Sequence, residues 1–185
     1  MESKYQVRKY QVTDFYRMDM SYESQEIVDF WGVDTLSREY KDKAFGFTGL
    51  FDGEPVILAG VYLLWPGMGE AWALLSKDFR KHGIFIHRSV MKYLPLVAES
   101  QRLKRIQAVC DESHKEAVDW LKRLDFTFEG RMPMYWKKKS FFRFAKFFLL
   151  GGINEQVCRV FPNGDAVSGG NPTVPASNPG LHSGA

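Results

Sequence analysis

The stretch from Glu70 to His87, EAWALLSKDFRKHGIFIH, constrains the fold more than any other part of the chain. Its first seven residues are apolar on both faces, as in a strand buried in the middle of a sheet. A basic loop follows, with a glycine at Gly83. Over residues 82–100, Ile86, Val90, Tyr93, Leu94 and Val97 then recur at helical spacing. Strand, loop and helix in that order put a helix N-terminus, with its unpaired N–H groups, at the C-terminal end of a central strand. Such an end attracts anions.

The flanking segments extend this to an α/β domain. Residues 4–9 alternate and predict a first strand, followed by a helix capped by Thr13 or Asp14. Residues 22–43 read as helix or loop. Two β-rich runs, 44–51 and 55–64, flank FDGEP, whose Asp-Gly predicts a hairpin turn. WPGMG turns the chain into the central strand, 70–76. Beyond the helix, LKRIQAVC predicts a strand over 103–110. SHKEAVDWLKRL predicts a helix with an apolar stripe of Ala117, Trp120, Leu121 and Leu124. Ser113 and Glu116 stand at capping-box spacing before that stripe. Two more strands surround the basic turn KKKS. The phenylalanines 141, 142, 144, 147 and 148 are expected in a final strand buried on both faces, in preference to a membrane-touching patch. Trp65, Trp72 and Trp120 are expected in the core or lining a groove.

From residue 151 the chain is rich in Gly, Pro, Ser and Asn and has no large aromatic residue after Phe161. It lacks the apolar surface needed to offset its ordering entropy. The expected organisation is a domain over 1–150 and an extended arm over 151–185, read as a segment that wraps a partner in preference to a bare linker.

Composition excludes several classes. Of 185 residues, 45% are apolar and 25% charged, and the formal net charge is +3. That balance is too mild for nucleic-acid binding without a clustered patch. No run of about 20 apolar residues predicts a membrane span, and no secretory leader is visible at the N-terminus. Cys110 and Cys158 stand alone, without metal-ligand spacing, so no metal is expected and a reduced, cytoplasmic setting is. Cys110 reads as a buried thiol in preference to a nucleophile.

The element order resembles the GNAT acetyltransferase fold over residues 4–148, and RKHGIF (80–85) resembles its Arg/Gln-x-x-Gly-x-Gly/Ala loop. The resemblance implies a mixed α/β sheet flanked by helices that splays open to admit acetyl-CoA. The pyrophosphate would rest on the loop formed by Arg80, Lys81, His82, Gly83, Ile84 and Phe85. Phe85 stands where the family has a small residue, which implies a crowded cleft. SHKEAVDWLKRLDF resembles the closing segment of the family, with Ala117 and Phe126 matching. There Leu121 replaces a tyrosine that protonates the departing thiolate, and Asp125 replaces a glycine. The candidate bases are Glu70 and His114.

The wording of these blocks is also similar to GNAT-like proteins of tailed bacteriophages, some of them internal virion core proteins. That similarity implies a virion-associated protein, made in the host cytoplasm, that acts through contacts in particle assembly. Its partners would be other virion proteins engaged by the arm, and further copies of itself, with no membrane or specific nucleic acid. The alternative is an active acetyl-CoA-dependent N-acetyltransferase.

Overall fold

The computed structural model describes residues 4–36 and 44–148, so the arm at 151–185 and Cys158 lie outside the described residues. The first half contains β1 (Tyr5–Lys9), α1 (Thr13–Arg17), α2 (Tyr22–Trp31), β2 (Ala44–Phe51), β3 (Glu54–Trp65) and β4 (Met68–Leu75). A 3-10 turn (Phe79–His82) leads into α3 (Gly83–Ser100). Then come β5 (Arg105–Asp111), α4 (Lys115–Arg123), β6 (Thr127–Trp136) and β7 (Lys139–Phe147). The strands form one mixed sheet in the order β1-β2-β3-β4-β5-β7-β6. Among the described strands only the β4–β5 pair is parallel.

Local chemistry explains the elements. The β2–β3 hairpin turns on Asp52 and Gly53, both at positive φ (48° and 84°), as a two-residue turn matched to strand twist requires. Lys137 and Lys138 do the same between β6 and β7, at 47° and 60°. Asp125, after α4, has φ 61°, the left-handed conformation that ends a helix and favours glycine. The family pattern has glycine there, and aspartate adopts the same backbone at some cost.

Two layers of helix cover the sheet. On one face α3 and α4 bury Ile86, Val90, Leu94 and Leu121 against Ile57, Val61, Ile106 and Phe144. On the other, α1 and α2 bury Phe15, Met18 and Val28 against Leu58 and Leu74. Ile57, Val61, Ile106 and Phe144 are fully buried, each stabilising by about 1.5–3 kcal/mol.

Four expectations are corrected. Neither Thr13 nor Asp14 caps α1: its N-cap is Val12, without a side-chain bond, because Asp14 is buried against Arg8 and Thr48. Ser113 does not cap α4, whose N-cap is His114. Ser113 donates its N–H and hydroxyl to Asp111, and Glu116 accepts from Arg80; these charged partners outcompete a capping box. β7 is not buried on both faces throughout: Phe144 and Ala145 are buried, while Phe147 is more than half exposed. Trp65, expected in the core or lining a groove, ends β3 more than half exposed.

Candidate active site

The parallel β4–β5 pair holds together for three rungs, Met68↔Arg105, Gly69↔Ile106 and Glu70↔Gln107. Beyond Gln107 the strands part. The partners on the outer sides remain in place: β3 follows β4 to Leu75, and β7 follows β5 to Asp111. The sheet is therefore split, not frayed.

Backbone direction alternates along β4. Leu75 turns its N–H and C=O away from β3, donating to Ser24 Oγ (2.9 Å) and accepting from Ser21 N–H (2.8 Å). Ala73, in the same phase, directs both of its main-chain groups into the gap. An edge strand with unpaired donors and acceptors is a template for an extended amide-bearing molecule.

A cleft of about 1060 Å³ occupies the split. Its lining comes from both faces of the sheet: Gly83, His87 and Ala117 on the α3–α4 side, Glu23, Trp72 and Phe141 on the α2 side. The slot thus passes through the sheet.

The loop residues divide by helical phase. Arg80, Gly83 and Ile84 line the cleft. A Cβ placed on Gly83 would meet no atom within 4 Å, so the main chain there is open to approach. Phe85 turns the other way. Its ring stacks on Tyr5 at 4.5 Å and lies 3.0 Å from where a Gly49 side chain would begin. The expected crowding by Phe85 is therefore corrected: two residues beyond Gly83 is about 200° around the helix, which carries the side chain to the sheet. His82 is also buried, its Nδ1 3.2 Å from the Tyr5 hydroxyl. Lys81 pairs with Asp78 at 2.9 Å, and its amide donates to the Asp78 carbonyl. The Phe79 amide donates likewise to Ser76, so two donors of the loop are already satisfied by the 3-10 turn. Arg80 reaches across the split to Glu116 on α4, at 2.9 Å and 3.1 Å. With His87, Arg88 and Arg123, it gives the α3–α4 side of the cleft an excess of basic residues. These residues fit a polyanionic nucleotide.

Glu70 and His114 are not brought together. Glu70 is at the apex, one residue below Ala71 in the lining, and accepts from Gln107 Nε2 at 2.6 Å. Alternation puts it on the α2 face, in phase with Trp72. His114 caps α4, past the far end of β5. Gln107 and Asp111 alone are about 13 Å apart along the strand. His114 sits instead beside Glu23. The Glu23 carboxyl is held below its ordinary range by its own amide N–H, then, against the opposing effect of burial, by the Ser21 hydroxyl and the charges of His114 and Arg80. His114 thus lines the cleft at the start of α4, facing Glu23 across it.

Leu121 lines the cleft and is buried; it has no proton to give. The Cys110 thiol is pushed up to about 11, by burial and then by Asp111, so it is no nucleophile at neutral pH. Among the described residues no cluster of metal ligands occurs, and no helix is long and apolar enough to cross a membrane.

Sequence reasoning missed Gln107, Ser21 and Ser24. Gln107 had a signal, a polar residue inside an apolar strand. The serines had none, because their role depends on where α2 crosses β4.

No protein-family model matches the chain, and no curated protein matches it either. Solved structures do. The ribosomal-protein-S5-alanine acetyltransferase from Vibrio fischeri superposes with a TM-score of 0.62 at 16% identity, over 80% of this chain and 94% of that one. Ard1 from Thermoplasma volcanium gives 0.66 at 12%, over 80% and 99%. A GNAT-family acetyltransferase from Bacillus anthracis gives 0.62 at 10%, over 80% and 96%. The described domain has the fold of the GNAT acetyltransferases.

Proposed function

We propose that this chain is an acetyl-CoA-dependent N-acetyltransferase acting on a primary amine. The observation that carries the reading is the slot through the split sheet. Its α3–α4 side presents Arg80 and the bare main chain at Gly83, the edge of β4 opens into it at Ala73, and Glu70 stands at its apex, at the last rung of the β4–β5 pair. Acetyl-CoA supplies the acyl group as an activated thioester. Arg80 and the first turn of α3 would hold its phosphates, and the Ala73 main chain its amide-bearing arm. Glu70, on the face with α2, would remove a proton from the acceptor ammonium, directly or through water. With leucine at 121, solvent supplies the thiolate's proton.

The virion reading has support only from the sequence resemblance. The matched structures are described as acetyltransferases, and the orientation of Phe85 removes the crowding on which that reading leaned. The test is thiol release from acetyl-CoA in the presence of a panel of primary amines, including peptides with free N-termini. Turnover abolished by Glu70→Gln supports the proposal. No thiol release with any amine, at protein concentrations near 10 μM, overturns it.

A further inference from the structure

Resting on that reading, we infer that Gln107 is the positioning residue for Glu70, fixing its carboxylate in one orientation at the point where the sheet opens. Glu70 and Gln107 are the last paired residues of β4 and β5. Both side chains leave the same face of the sheet, because directly paired residues share a face. Gln107 Nε2 donates to Glu70 Oε2 at 2.6 Å. That bond occupies one carboxylate oxygen and leaves Oε1 without a hydrogen bond among the described residues. An amide N–H given to a carboxylate is a charge-assisted bond that fixes its orientation. The glutamine is therefore suited to keeping Glu70 aimed, with the second oxygen open to a proton.

The other groups around Glu70 do not duplicate this role. Across β3 its paired neighbour is Tyr62. From β6, Tyr135 approaches closely enough for its hydroxyl to be pushed up, by burial first and then by the Glu70 charge. Arg143 on β7 and Arg105 on β5 are both engaged by Glu129. Gln107 alone among them donates a hydrogen bond to the Glu70 carboxylate. The bond also closes the last rung, so a purely mechanical role, stopping the split from running further down the sheet, is the rival explanation.

The deciding measurement is the Glu70 carboxyl carbon signal by NMR in the full chain at about pH 7, assigned by its disappearance in Glu70→Gln. In Gln107→Met, which keeps length and apolar contact but has no donor, that signal should move, and in Gln107→His, which keeps an N–H donor, it should return toward the parent position. In steady-state kinetics Gln107→Met should lower kcat for the amine about tenfold, with KM for acetyl-CoA unchanged. An unmoved Glu70 signal in Gln107→Met overturns the inference, whatever happens to the melting temperature. If the signal moves while the parent releases no thiol, the positioning stands and the proposed reaction falls.

Discussion

Replacing Asp14 with asparagine should cost about 3 kcal/mol of folding stability. Its carboxylate is fully buried and accepts four hydrogen bonds, from Arg8 Nη1 (2.8 Å) and Nη2 (2.5 Å), the Gln11 amide (3.1 Å) and the Thr48 hydroxyl (2.6 Å). Asparagine keeps one acceptor oxygen and turns an NH2 group toward donors, leaving the Arg8 guanidinium without its counter-charge. Breaking a buried ion pair in this way costs about 3–5 kcal/mol. Arg8 is 29% exposed, so water recovers part of the loss and the low end applies. Domains of this size are stable by about 5–15 kcal/mol, so the variant should still fold. Urea unfolding at pH 7 measures the difference. A double variant, Arg8→Met with Asp14→Leu, should recover part of it, because no unpaired charge remains. A loss below about 1 kcal/mol for Asp14→Asn would refute the reasoning. Burial alone would raise the Asp14 carboxyl, but the hydrogen bonds from Arg8, Thr48 and Gln11 and the Arg8 charge hold it below the ordinary value. A carboxyl lowered on folding binds fewer protons folded than unfolded. Its stabilisation is therefore complete above the unfolded value, about 3.9, and is lost as pH falls through the folded value. Parent stability should fall on acidification below about pH 4, and Asp14→Asn should flatten that slope.

Three further outcomes are expected. Cys110, raised to about 11 by burial, should resist iodoacetamide at pH 8 in the native protein and react on unfolding in urea; rapid native labelling would contradict its buried position. Asp125→Gly should stabilise by about 0.5–1 kcal/mol, because glycine adopts φ 61° without the side-chain penalty, less its greater unfolded entropy; thermal unfolding measures it. Arg80→Ala should weaken acetyl-CoA binding about tenfold while changing the melting temperature little, because the bond it makes to Glu116 is exposed on both sides; equal affinity in calorimetry would remove Arg80 from the site.

Much of the architecture was legible because periodicity and turn chemistry agree along this chain. The Asp52-Gly53 hairpin, the α3 stripe from Ile86 to Val97 and the α4 stripe through Leu121 are local signals, and the structure follows them. Phe85 shows where local reading ends. A motif comparison registers a bulky residue at a small-residue position, but only the helix phase and the neighbouring Tyr5 determine where its ring goes. The caps failed for a related reason: Asp14, Ser113 and Glu116 all had the right spacing, and all were taken by charged partners distant in sequence or across a turn. Glu70 was visible as an acid on the central strand. Its pairing with Gln107 was not, because the register between two parallel strands joined through α3 is set by packing and by no local feature. The split is legible only as part of the resemblance, since nothing in the residues of β4 or β5 announces that pairing stops after Gln107.

Calorimetric titration of the full chain with acetyl-CoA at physiological ionic strength tests most directly whether the split β4–β5 sheet is a nucleotide-thioester site. Binding at a dissociation constant on the order of 1 μM, a free energy of about 8 kcal/mol, with Arg80→Ala weaker, is the predicted result. No heat and no saturation up to millimolar ligand would contradict it.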